Sequence, residues 1–101
     1  MSKFEILTPL NFIVRTAEKY WQKLIEKHPD IADLEAEVIQ ALANPDEIRC
    51  SSREPTVLLF YLILKESRWV VAVVRRLKEV GFLVTAYQTD AIKEGETLWL
   101  R

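Results

Sequence analysis

The sequence predicts an α+β domain: an N-terminal short hairpin and two helices packed on one face of a four-stranded antiparallel sheet. Three observations carry this. Apolar residues recur at helical spacing before Pro45 and at strand spacing after it. The segments between the later strands are too short to hold crossover helices, so neighbouring strands are expected to run antiparallel. Half of the 101 residues are hydrophobic, enough for one core on the scale of a single domain, 1–101.

The elements follow in chain order. Lys3–Leu7 and Phe12–Arg15 read as short strands, with Pro9 and Asn11 supplying the turn between them. Thr16 can cap the next element. Ala17, Tyr20, Trp21, Leu24, Ile25 and His28 then share one helical face. Pro29 interrupts, and a second helix is expected from about Asp30, with Ile31, Leu34, Val38, Ala41 and Leu42 as its stripe and Asn44-Pro45 as its stop. "EIRCSS", "TVLLFYLILK", "WVVAVVRRL" and "FLVTAYQT" read as four strands, separated by "REP", "ESR" and "KEVG". "LLFYLIL" and "VVAVV" are apolar on both parities, so both of their faces need cover, from the chain itself or from a second copy.

Composition narrows the function classes. A single cysteine, Cys50, rules out an internal disulfide framework. With no secretory signal in "MSKFEILTPL", the expected compartment is the cytoplasm. No apolar run approaches the ~20 residues that cross a bilayer. One His and one Cys fall short of any zinc ligand set, and two isolated glycines build no phosphate loop, so neither metal nor cofactor is expected. The net charge of −1 hides an asymmetry. Between Ala17 and Glu47 eight acids stand against three lysines; between Ile48 and Lys78 seven bases stand against two acids. The second segment is a local cationic surface for an anion, or the two halves neutralise each other.

The residues that could carry chemistry are polar groups on strands. Arg49, Ser51 and Arg53 share one parity; Thr85, Tyr87 and Thr89 share another; Arg68 stands at a strand start and His28 at a helix end. Arginine forks bind phosphates, hydroxyls donate to their oxygens, and His titrates near neutral pH. Together they are what metal-free cleavage of an RNA backbone needs: a base for the 2′-hydroxyl proton, cations for the phosphorane charge, an acid for the leaving oxygen. Each residue also has a plainer reading. His28 can be a half-buried helix end, Arg49 can pair with Asp46 or Glu47, Thr85 and Thr89 are good strand formers, and Tyr87 can be a partly buried aromatic. Tyr61 reads as core and Cys50 as small buried packing.

"KHPDIADLEAEVIQAL", "NPDEIRCSS", "LLFYLIL", "RWVVAVVRRL" and "GFLVTAYQTDAIKEGETLW" together resemble a group of small bacterial proteins, common in cyanobacteria, related to the phage-associated barnase–EndoU–colicin–RelE-like (BECR-fold) nucleases. The resemblance runs from about Lys27 to Trp99. It implies a RelE/barnase-like sheet with helices on one side, and metal-independent endoribonuclease activity, often as the toxin of a toxin–antitoxin pair. Carried over by position, it implies His28, Arg49, Ser51, Tyr61, Thr85 and Tyr87 as site residues. The expected site has His28, Arg49, Ser51, Thr85 and Tyr87 as catalytic residues and Tyr61 holding RNA, with Arg53 and Arg68 added from the chemistry of the residues as supporting cations. The partners it implies are RNA and an antitoxin protein. The near-neutral charge departs from the basic character of such toxins. It leaves a second reading open: a catalytically silent nuclease-like module that forms a homodimer through the apolar strands Thr56–Leu64 and Trp69–Val74, or binds a protein partner.

Overall fold

The strand-spaced segments all enter one sheet, and that sheet is larger than expected. A computed structural model describes residues 2–92 and 95–101. Its elements are β1 (Ser2–Leu7), β2 (Ile13–Ala17), α1 (Glu18–Lys27), a 3-10 helix (Pro29–Leu34), α2 (Glu35–Ala43), β3 (Glu47–Cys50), β4 (Val57–Lys65), β5 (Arg68–Leu77), β6 (Val80–Thr89) and β7 (Glu96–Leu100). The sheet has seven strands in the order β1-β2-β6-β5-β4-β3-β7.

This corrects the expected four-stranded antiparallel sheet with a separate hairpin. β3 to β6 do form a consecutive antiparallel meander. The N-terminal hairpin joins the same sheet, because β2 pairs with β6 in parallel through Ile13–Val80, Val14–Gly81 and Arg15–Phe82. A further strand, β7, pairs antiparallel with β3 at the other edge. The sheet is therefore mixed. The parallel contact is buildable because α1, the 3-10 helix, α2 and the meander lie between β2 and β6 and supply the long return that a parallel pair needs.

The helical segment also differs in detail. Pro29 opens a 3-10 helix rather than α2 itself, and His28 ends α1 and starts that turn. Ala17, not Thr16, is the N-cap of α1, with no side-chain cap bond. Thr16 is buried instead, and its hydroxyl has no hydrogen-bond partner among the described residues. Glu18 in the first turn and Lys27 in the last suit the helix dipole.

The main core lies between the helices and one face of the sheet. Trp21, Leu24, Ile31, Val38, Ala41 and Leu42 meet Phe12, Val14, Ile48, Leu58, Phe60, Val70, Ala72, Val74, Leu83 and Ala86. Gly81 makes room for Phe12 here: a Cβ at Gly81 would lie 2.7 Å from Phe12 Cε1 and 2.8 Å from Val74 Cγ1. The Arg76 guanidinium lies over that ring at 4.4 Å from its centroid.

The face away from the helices carries a second cluster of Leu59, Tyr61, Val71 and Val73, with Val57, Trp69, Tyr87 and Ile92 against it. Its cover comes from the route to β7. Four antiparallel pairings separate β6 from β7, so the two strands run the same way, and the chain must cross β5, β4 and β3 between them. The lateral distance is roughly 19 Å at ordinary strand spacing. Ile92 lies on the second cluster, and Gly95 meets Cys50 beside β3. Lys93 and Glu94, within the last segment quoted above, lie outside the described residues. The middle of the two-sided apolar strands β4 and β5, at Leu59, Tyr61, Val71 and Val73, is thus covered on the second face by its own chain, while Ile63 and Leu77 at their ends stay about half exposed.

Candidate functional site

The residues selected from the sequence fall in three separate places. Register assigns the faces. Arg49 stands opposite Leu59, Thr85 opposite Val73, and Tyr87 opposite Val71, so all three share the second face with Tyr61. His28 belongs to the helical layer. His28 lines a groove with Thr85 of β6, and β5 and β4 lie between β6 and β3, which carries Arg49.

Arg49 takes the plainer of its two readings. Its Nε donates to Glu47 Oε2 at 2.6 Å and its Nη1 to the Gly95 carbonyl at 3.1 Å. Thr97 Oγ1 donates to the same Glu47 oxygen at 2.7 Å. Both charged side chains are mostly covered, so this knot ties β7 and the end of the crossing segment to β3. Tyr61, at 3% exposure, lies under that crossing. Tyr87 is half-buried against the same cluster.

Ser51 and Arg53 sit in the turn after β3. Ser51 Oγ accepts from the backbone N–H groups of Arg53 and Glu54 at 3.3 and 3.4 Å, a local turn bond. Arg68 starts β5, beyond the far end of β4. β4 spans roughly 26 Å at strand rise, so Arg53 and Arg68 do not meet at one phosphate. The remaining bases of the cationic segment are dispersed too. Arg75 faces Glu54 at 3.7 Å on the second face, while Arg76 packs on Phe12 on the first.

His28 does line a groove of about 470 Å³ between α1 and β6, with Tyr20, Lys23, Leu24, Lys27, Val84 and Thr85. Tyr20 Oη donates to the Val84 carbonyl at 2.6 Å and holds the helix over a bulge in β6, where Val73 pairs with Thr85 but Val74 pairs with Leu83. Gln88 Nε2 donates to Asp30 Oδ2 at 2.6 Å and anchors the turn after His28. Two lysines and an imidazole around one groove suit an anionic group.

A row of uncovered apolar side chains lies elsewhere, on residues that strand parity alone did not single out. On the second face the pairings Leu7–Ile13, Ile13–Val80 and Val80–Leu77 set four apolar side chains in one row across β1, β2, β6 and β5. Leu7 is 62% exposed, Leu77 51% and Ile13 38%. The next row on that face reads Glu5, Arg15, Phe82, Arg75, with Phe82 44% exposed. A recess of about 320 Å³ lined by Thr16, Ala17, Tyr20, Phe82, Leu83 and Val84, among others, continues the apolar surface. Alternation in "LNFIVRT" marks Ile13 and Arg15 as sharing a face; what it does not reveal is that β6 lies beside them.

Among the described residues no cluster of three or more His, Cys, Asp or Glu side chains could hold a metal ion, and no helix is long and apolar enough to cross a membrane. No protein-family model, curated protein or solved structure, from nuclease families or any other, matches the chain.

Proposed function

We propose that this chain is an interaction module that binds a protein partner through the uncovered half of the sheet's second face. One observation carries the reading: the row Leu7, Ile13, Val80, Leu77, exposed but for the half-buried Val80, with the exposed Phe82 beside it. The same face is covered around Leu59, Tyr61, Val71 and Val73, where Ile92 and Tyr87 pack, but is uncovered at Leu7, Ile13, Leu77 and Phe82. Contiguous apolar surface on a small domain marks a binding site more often than chance placement does. The test is photo-crosslinking in cells that express the protein. A photoreactive residue at position 82 should give a discrete protein adduct, and one at the exposed helix position 40 should not. Equal labelling from both positions, or none from 82, would remove the reading.

A second reading has one observation in its favour. His28 and Thr85 line one groove with Lys23 and Lys27. A metal-independent endoribonuclease centred there, as in a toxin–antitoxin pair, would use His28 to take the 2′-hydroxyl proton as that oxygen bonds to phosphorus, the lysines to stabilise charge on the phosphate, and the protonated imidazole to return the proton to the 5′-oxygen as its bond to phosphorus breaks. Arg49 would have no part in it. RNA cleavage by purified protein, with or without ribosomes, should then be lost in His28→Ala and kept in a folded Arg49→Met. Absence of cleavage by the wild type ends this reading.

A further inference from the structure

We infer that the partner on this surface is a second copy of the chain, seated face to face about a two-fold axis that runs along the strands between β2 and β6. The inference rests on the interaction reading above and names its partner.

The order of residues within the two rows leads to it. Row one is Leu7, Ile13, Val80, Leu77, and row two is Glu5, Arg15, Phe82, Arg75, each read from β1 through β2 and β6 to β5. An axis along the strands reverses each row onto itself. Leu7 then meets Leu77 of the second copy, and Ile13 meets Val80. Glu5 meets Arg75, a pair of opposite charge. Arg15 meets Phe82, a guanidinium over an aromatic ring. Every contact occurs twice, as an isologous interface requires. No like charges face each other.

The competing two-fold axis, across the strands, does worse. It turns each strand onto itself end for end, so that Glu5 would be set against Leu7 and Arg15 against Ile13. Charges would then be buried against methyl groups without partners. The charge pattern therefore selects one geometry. Two sheets meeting this way form a sandwich with strands within about 30° of each other and faces ~10 Å apart. Within one chain, Glu5 reaches Arg15 only at 3.7 Å, and Arg75 reaches Glu54 at 3.7 Å. All four side chains are about half exposed, so these contacts cost little to exchange.

The test is sedimentation equilibrium up to about 500 µM, the range that small, weak interfaces need. Wild type should show a concentration-dependent dimer. Phe82→Glu should weaken it at least about tenfold while circular dichroism and melting temperature hold. Glu5→Arg and Arg75→Glu should each weaken it about tenfold by setting like charges together. The double variant Glu5→Arg/Arg75→Glu should return it to within about threefold of wild type. Failure of the double swap to restore the dimer, or a dimer untouched by Phe82→Glu, overturns the proposed geometry. A monomer throughout, together with a position-82 adduct to a different protein, removes the second copy and keeps the interaction reading. A monomer with no adduct removes both.

Discussion

Arg49 Nε donates to Glu47 Oε2 at 2.6 Å, two residues apart on one strand and on the same face of the sheet. Side chains at i and i+2 point the same way on a strand, so the pair is local. What makes it structural is the third party. The Gly95 carbonyl and Thr97 hydroxyl come from the far end of the chain to complete it.

Removing the guanidinium should therefore act on stability. Arg49→Met leaves a mostly covered Glu47 carboxylate without its cation and is expected to cost about 1–3 kcal/mol in urea unfolding. Glu47→Gln combined with Arg49→Met should recover part of that loss, since no charge is then left unpaired. A double variant as unstable as the sum of the singles would contradict the pairing.

Gly95 has φ of +82°, and a Cβ there would sit 1.9 Å from the Cys50 carbonyl oxygen. Gly95→Ala should cost at least about 2 kcal/mol, combining the left-handed backbone penalty with displacement of that carbonyl. Hydrogen exchange should show the amides of β7 losing protection before those of β4 and β5. Unchanged protection in β7 would mean that Gly95 does not hold this turn.

Gly81 and Phe12 should be energetically coupled. Gly81→Ala pushes a methyl into the Phe12 ring and should cost about 1–3 kcal/mol as overpacking. Phe12→Leu, mildly destabilising alone, should relieve much of that cost in the double variant. The coupling should reach about 0.5–3 kcal/mol; strict additivity would place the ring elsewhere.

Ile92→Ser should open the second cluster. The expected cost is about 1–2 kcal/mol for losing a partly buried aliphatic side chain. The sharper readout is local: Tyr61, nearly inaccessible in the wild type, should become reachable to an aqueous quencher while the main core stays closed. Equal quenching in both proteins would show that Ile92 is not the cover.

The parts of the fold legible in the sequence were those with local signals. β3 to β6 are neighbours in the chain and in the sheet, and their short turns force antiparallel pairing. Arg49 beside Glu47 was legible for the same reason. The rest depended on distant partners. "ETLWL" is five residues long and pairs with β3, three strands away from the strand that precedes it. Nothing within "NFIVRTA" signals that its partner is Val80–Phe82. The candidate site suffered most from this. Parity on each strand was readable for Arg49, Thr85 and Tyr87, but only the sheet order shows that two strands, β5 and β4, lie between the strand beside His28 and the one that carries Arg49.

The parallel pairing of β2 with β6 also orders events during translation. Ile13 emerges from the ribosome long before Val80 exists, so the hairpin must wait with its inner edge unpaired and Phe12 wet. The meander can zip up by nearest-neighbour turns; docking of the hairpin cannot precede its last strand. Folding speed should accordingly be limited by that late closure, in the slow range expected of long-range topologies. The waiting edge is the place where a nascent chain is most exposed to mispairing with its neighbours on a polysome.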